Sequence, residues 1–308
     1  MDDKSKKSLF ITIVGEPNVG KSSILNMIVG EKISIVSPKP QTTRNKIIGI
    51  FTENCTQLVF TDTPGLLKPK TCLDDFMLNE ITDSFSGTEL VMHVVEARKK
   101  ISDNNLKLIE KFKIMHLPVF LVINKIDIIK NKADLLSFTK HYSEVYNYSS
   151  IIPISAIKSD GRRELINELQ KFAKPSVFFY DEDEITDQPL RIIASEIIRE
   201  KMLYLLDQEL PHGIAIFIEN FRQRENLNHA RPDIIDINAL IKCERKNHKS
   251  IIIGHNGEMI KKIGVLARIE LEKMLGCKIN LKLWVKVKEN WKNDSDFLSD
   301  MGYVLKNN

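Results

Sequence analysis

The nine residues Gly15-Glu16-Pro17-Asn18-Val19-Gly20-Lys21-Ser22-Ser23 combine two glycines, a lysine and two hydroxyls between an apolar run and a helical pattern. Such glycines let the backbone turn tightly enough for several N–H groups to point at one anion. The helix that follows adds its unpaired first-turn N–H groups and the positive end of its dipole. Lys21 supplies a full charge for the β- and γ-phosphates of a nucleoside triphosphate, and Ser22 supplies an oxygen for Mg²⁺. This is the spacing of a phosphate-binding loop, and its place between strand and helix is the context that gives the motif meaning.

Three further short motifs stand where apolar runs end. Asp62-Thr63-Pro64-Gly65-Leu66 offers an acid that reaches Mg²⁺ through water, and a glycine whose N–H can approach a γ-phosphate. Asn124-Lys125-Ile126-Asp127 offers a carboxylate able to accept from both N1–H and the 2-amino group of guanine. Adenine lacks that donor pair, so the motif selects GTP and GDP over adenine nucleotides and argues against an ATP-using enzyme. Ile154-Ser155-Ala156 closes the last run, where a backbone N–H is expected to meet guanine O6, and Ser155, Ala156 and Ile157 are expected to bind the nucleotide. Within Ser37–Ile50, Thr43 is the expected hydroxyl ligand of Mg²⁺ and partner of the γ-phosphate, with Thr42 as the alternative; such a loop is a switch released on hydrolysis. Lys21, Thr43 and Gly65 are the residues expected to act in hydrolysis.

A second glycine pair lies near the other end, Ile253-Gly254-His255-Asn256-Gly257, followed by Lys261 and Lys262. Between Lys242 and Lys292 the chain carries 13 basic residues against 5 acidic ones, which marks a polyanion-binding face. A G-x-x-G loop between two short helices beside a small sheet matches the KH module, whose loop clamps about four backbone nucleotides of RNA. Ile251, Ile252 and Ile263 are expected to divide between core and a groove for unstacked bases.

Elements able to hold these motifs are legible in the apolar pattern. Leu9–Val14, Gln57–Thr61, Leu90–Val95, Val119–Asn124 and Ile151–Ser155 predict buried strands, with amphipathic helices between them. That alternation predicts an α/β domain with a mostly parallel sheet over 1–173. Residues 174–189 mix Pro, aromatics and acids and predict a linker. Beyond it, helix, two strands, helix-loop-helix and strand predict an α+β domain of type II KH class over 190–292, with 293–308 as a tail. The chain of 308 residues has 43% hydrophobic and 28% charged residues and a net charge of +4. No apolar run reaches the roughly 18 residues of a membrane span. The polar start predicts no leader, and four scattered cysteines predict neither zinc site nor disulfide framework, which fits a reducing cytoplasm.

The stretches GEPNVGKSSILN, SPKPQTTRNKIIGI, FTDTPGL, NKID, ISA, TDQPLRIIASEIIREK, LPHGIAIFIE and IIIGHNGEMIKKIG together resemble the Era-like family of bacterial GTPases over nearly the whole chain. The resemblance implies a GTPase joined to a KH domain that binds single-stranded sequence near the 3′ end of small-subunit ribosomal RNA and assists assembly of the small ribosomal subunit. It also implies a place in the cytoplasm with loose, peripheral attachment to the inner membrane face, and the chain is expected to be a monomer. Leu66 stands where Ras-type GTPases place a water-orienting Gln, so intrinsic hydrolysis is expected to be slow. Relatives with this substitution bind K⁺ through a loop Asn, a position held here by Asn18. The competing expectation is an RNA-binding scaffold in which GTP is only a conformational effector.

Overall fold

The structure is a computed structural model that describes residues 6–37, 39, 42–65, 69–97, 101–206, 213–224, 233–301 and 303. The chain divides into two compact units, Met1–Pro69 with Met77–Asp187 and Lys70–Phe76 with Gln188–Asn308. The first 175 residues contain β1 (Lys7–Gly15), α1 (Lys21–Val29), β2 (Ile47–Glu53), β3 (Thr56–Asp62), α2 (Cys72–Asp83), β4 (Leu90–Glu96), α3 (Asp103–Met115), β5 (Val119–Asn124), α4 (Lys132–Val145), β6 (Ser150–Pro153), α5 (Arg162–Gln170) and β7 (Lys174–Pro175). The sheet order is β2-β3-β1-β4-β5-β6, with β7 pairing β1. Pairs β1–β3, β1–β4, β4–β5 and β5–β6 are parallel, whereas β2 runs antiparallel to β3.

Continuous apolar runs suit strands covered on both faces, and β5 is buried at every residue. One cluster joins Ile11, Ile13 and Phe60 to Ile24 and Ile28 of α1 and Leu165 and Leu169 of α5. The other joins Val91, Val95 and Leu121 to Leu108 and Phe112 of α3 and Phe138 and Tyr142 of α4. The sheet is therefore sandwiched, and the ends of β1, β3 and β5 lead into the chemical motifs.

The second unit contains α6 (Leu190–Leu205), β8 (Ile214–Gln223), β9 (Ile234–Cys243), α7 (Lys246–Ile253), α8 (Glu258–Leu275), β10 (Lys278–Val287) and α9 (Ser295–Asp300). Strand order is β10-β9-β8, antiparallel between β8 and β9 and parallel between β9 and β10. Helix α8 buries Ile263, Ala267 and Leu271 at a spacing of four, one stripe of a 3.6-residue period. These pack with Ile197 of α6 and with Ile237, Ala239 and Ile241 of β9.

Three differences from the sequence expectation have physical causes. Residues 47–50, expected in a loop, begin β2, because Asn54 adopts φ 54° and closes a two-residue hairpin between Glu53 and Thr56. Residues 174–187, expected as linker, run as ordered chain on the first unit. There the buried Gln57 accepts the N–H groups of Phe179 and Tyr180 at 2.8 and 3.2 Å and donates to Tyr180 O at 2.9 Å. Thr186 donates to Ile48 O and Ile50 N–H to Ile185 O, extending the same bracket. Residues 293–301, part of the stretch 293–308 expected as tail, carry α9, with Leu298 and the preceding Trp291 wholly buried and Asp294 capping the helix by accepting from Phe297 N–H at 2.9 Å; residues 302 and 304–308 lie outside the described residues.

Candidate nucleotide site and second glycine loop

The first glycine loop joins the end of β1 to α1 and is shaped by close approach. A side chain at Gly15 would lie 2.3 Å from Val94 O, and one at Gly20, φ 97°, would lie 2.2 Å from Asn124 Nδ2. Asn18 takes φ 65°, a left-handed conformation that Asn tolerates. Asn124, at the end of β5, donates to Val19 O at 2.9 Å and accepts the Ala156 N–H at 3.1 Å. One side chain thus ties the glycine loop to Ser155-Ala156-Ile157. Of the backbone N–H groups in the stretch expected to meet guanine O6, that of Ala156 is engaged by Asn124 in this structure.

Lys21 is buried, and its Nζ donates to Gly15 O at 3.1 Å and Glu16 O at 3.0 Å. Burial pushes its pKa down to about 8, against the opposing pull of the Asp62 and Glu16 charges. Asp62 ends β3 fully buried. Its Oδ2 accepts from Ser22 Oγ at 2.6 Å, Ser34 Oγ at 3.2 Å and Thr43 Oγ1 at 3.4 Å, and Ser22 and Thr43 hydroxyls stand 3.0 Å apart. Burial raises the Asp62 pKa, and its Oδ1 is buried with no hydrogen-bond partner. A carboxylate with one orphaned oxygen beside two hydroxyls is the donor chemistry of a hard divalent cation. Thr43 faces this cluster, whereas the Thr42 hydroxyl donates to Lys39 O at 2.7 Å.

The remaining first-unit residues divide. Gly65 lies against the loop, its position for a side chain 3.0 Å from Pro17 Cα. Thr63 and Pro64 are buried, and the Thr63 hydroxyl turns away to donate to Ile13 O at 2.8 Å. Leu66 lies outside the described residues. Lys125 pairs with Glu96 at 2.6 Å, Asp127 accepts from Ser155 Oγ at 2.6 Å, and Ile126 N–H donates to Ile154 O. Asn18, Ser22, Ser23, Thr43, Lys125 and the exposed Ile157 are among the residues around a cleft of about 450 Å³, within the range of small-molecule sites.

The second loop is a 3₁₀ turn, His255–Gly257, between α7 and α8. Gly254, φ 73°, admits no side chain because Met259 Cβ would lie 2.7 Å away. Gly257, φ 80°, has open space and is glycine for its backbone angle alone. His255, Asn256, Lys261 and Lys262 are exposed, and Ile253 is half-buried. Of the isoleucines, Ile252 and Ile263 are wholly core and Ile251 is exposed.

The model of the 50S ribosome-binding GTPase family matches residues 10–125, and that of the KH domain matches residues 209–292. The chain is 44% identical to GTPase Era of Clostridioides difficile (strain 630), over 96% of this chain and 98% of that one. It is also 44% identical to GTPase Era of Ruminiclostridium cellulolyticum, over 99% and 100%. The chain belongs to the Era family of GTPases. Two solved Era structures match at TM-score 0.91 and 36% identity, covering 97% of this chain and all of theirs. One is a point variant of Aquifex aeolicus Era bound to GDP·AlF₄⁻, and the other is Era with MgGDPNP and nucleotides 1506–1542 of 16S ribosomal RNA.

Within this Era-family fold, Ser34 and the partners of Glu16 escaped sequence reasoning. Ser34 reaches Asp62 from the segment after α1, and no spacing signals it. Glu16, variable by motif definition, accepts from Ser102 Oγ at 2.8 Å, Asn104 Nδ2 at 3.4 Å and Asn105 Nδ2 at 3.3 Å. Asn105 Oδ1 in turn meets His93 Nε2 at 3.0 Å, and His93 Nδ1 meets the Tyr148 hydroxyl at 3.1 Å. Burial drives His93 down to about 4, so the ring is neutral. The chain of bonds fixes Glu16, the second residue of the glycine loop, to α3 and β4.

Proposed function

We propose that this GTPase binds GTP and GDP in residues 1–173, hydrolyses GTP slowly, and uses residues 190–292 to bind the 3′ region of small-subunit ribosomal RNA during maturation of that subunit. The observation that carries the nucleotide half is the convergence of the Ser22 and Thr43 hydroxyls on Oδ2 of Asp62, whose Oδ1 has no hydrogen-bond partner, beside Lys21. Loop N–H groups and Lys21 hold the phosphates, and Asp127 selects guanine. Ser22, Thr43 and Asp62 would hold Mg²⁺, which supplies positive charge against the phosphate oxygens. Gly65 brings its N–H toward the γ-phosphate. Leu66 has no group to orient water, which makes the unassisted rate low. K⁺ at Asn18 belongs to the same reading. The RNA half rests on the exposed His255-Asn256 turn with Lys261 and Lys262 behind it. We place the chain in the cytoplasm as a monomer that meets the inner membrane face peripherally; among the described residues no helix is long and apolar enough to cross a membrane.

The test has two arms. Phosphate release is measured in KCl and in NaCl, with and without small ribosomal subunits. The expectation is slow release, faster in KCl and faster again with subunits. Crosslinking to total cellular RNA with GTP present is expected to map to the 3′ end of small-subunit ribosomal RNA. No release under any condition would leave GTP as a conformational effector only, and crosslinks scattered over unrelated RNAs would remove the ribosomal assignment.

A further inference from the structure

The sheet of the second unit has two faces; α6, α7 and α8 cover one, and Phe297 of α9 approaches Lys242 at one end of the other. Alternation sends Ile216 and Ile218 of β8, Ala239 and Ile241 of β9 and Ile279 and Val285 of β10 into the core. The intervening residues point the other way. Register places Phe217 opposite Leu240 and Leu240 opposite Trp284, one apolar row across the three strands. Phe217 is 41% exposed and Trp284 43% exposed, the two outer members of that row. Two large rings left in water on either side of the buried Leu240 mark an interaction surface more than scattered exposed side chains do.

The charges around this row select the partner. On one side lie Ala215, Lys242 and Lys286, and on the other Asn220, Asn238 and Lys282, followed by Arg222, Asp236 and Asn280. Lys282, Lys286 and Arg222 are exposed. Asp236 is neutralised by Arg224, whose Nε and Nη2 donate to it at 2.7 Å each, and it also accepts from Asn280 Nδ2 at 2.6 Å. Glu219, exposed, sits at the irregularity between Ile218 and Asn220. Lys242 lies 5.8 Å from the Phe297 ring of α9. Aromatic rings flanked by basic residues on an open sheet are the chemistry of single-stranded nucleic acid: bases stack on the rings and lysines meet the phosphates. Strands about 4.8 Å apart put the Phe217 and Trp284 rows about 10 Å apart, within the span of the two or three bases such sheets hold.

We propose that the outer face of β8–β9–β10 is a second single-stranded RNA platform, with Phe217 and Trp284 as stacking residues and Lys282 and Lys286 as phosphate contacts. The inference rests on the RNA-binding reading but concerns a surface other than the Gly254–Gly257 loop. That loop clamps about four nucleotides. The RNA in the Era complex runs from nucleotide 1506 to 1542, so much of it must lie elsewhere than on one such loop.

The chain supplies its own probe. It has two tryptophans, and Trp291 is wholly buried with its Nε1 donating to Gly213 O at 3.1 Å. Emission changes on adding RNA therefore report Trp284. The full chain is titrated with a labelled oligoribonucleotide covering the 3′-terminal segment of small-subunit ribosomal RNA, by anisotropy and tryptophan emission. Four proteins are compared: the parent, Trp284→Ala with Phe217→Ala, Trp284→Phe, and His255→Asp with Asn256→Asp. Quenched emission in the parent, affinity lost by roughly ten-fold in the double alanine variant, and recovery in Trp284→Phe are the expected results. If the His255/Asn256 variant alone keeps full affinity, the loop reading falls and the sheet face stands. If the double alanine variant binds RNA as the parent does, without quenching in the parent, the sheet proposal falls and the loop reading stands. Normal affinity for naked RNA with lost co-sedimentation on small subunits would assign the face to a protein and overturn the RNA platform. Circular dichroism of every variant guards against misfolding as the cause.

Discussion

Lys21 illustrates how burial and function pull on one charge. An ammonium at 6% exposure, resting on two carbonyls, holds its proton less firmly than a free lysine, and its pKa falls to about 8. Phosphate oxygens beside it would restore the charged form. Above pH 8 the nucleotide-free protein therefore carries a partly neutral Lys21 that must take up a proton when nucleotide binds. Calorimetry just above pH 8, in two buffers of different ionisation enthalpy, is expected to show net proton uptake and an affinity that falls as pH rises. Lys21→Ala is expected to lose both the uptake and tight binding. For the empty protein the sign is opposite. The unfolded chain keeps this proton up to about pH 10.5, so between 8 and 10.5 it binds more protons than the native state and folding stability rises with pH. Buffer-independent binding heats would show that Lys21 is fully charged before nucleotide arrives.

At the scale of elements, the glycine loop is held by more than its own backbone. Glu16 links it to the start of α3, where Ser102 caps the helix by accepting from Asn105 N–H at 3.2 Å, and Asn105 passes the connection to His93 on β4 and so to Tyr148. Asn105→Ala removes a donor from Glu16 and leaves a neutral, buried His93 nitrogen without a partner. A loss of about 1–3 kcal/mol is expected in urea unfolding, with faster dissociation of a fluorescent GTP analogue. Unchanged stability and off-rate would reduce the chain of bonds to incidental contacts. None of this was legible in the sequence, because Glu16, Asn105 and Tyr148 carry no spacing relation to one another. What was legible is what chemistry constrains locally: glycines where a side chain would collide, an acid or amide at the end of an apolar run, helices with a four-residue apolar stripe. The strand β2 was obscured by the polar residues before it, although Asn54 marked its turn. The bracket of Gln57 around Phe179 and Tyr180 joins positions 122 and 123 residues apart, and α9 is secured by Trp291 and Leu298 at the core rather than by its six-residue propensity. Such long-range satisfaction of buried polar groups is invisible to any local pattern.

The molecule as a whole carries separate cores, one pair of clusters flanking the first sheet and one cluster under the second. Ligands that bind only one folded unit stabilise that unit by mass action. Both tryptophans, Trp284 and Trp291, belong to the second unit, so their emission follows its unfolding while far-UV circular dichroism follows both. GTP analogue at a hundred times its dissociation constant is worth about 2.7 kcal/mol, a rise of roughly 5–10 °C for a domain of this size. With Mg²⁺ and the analogue present, the far-UV curve is expected to gain a later transition while the tryptophan-detected midpoint stays in place. The oligoribonucleotide should do the reverse, raising the tryptophan midpoint alone. The two titrations together assign each ligand to its own unit without any mutation. A tryptophan midpoint that climbs with nucleotide would mean that the units unfold as one cooperative body, and the separate cores would then not be thermodynamically separate.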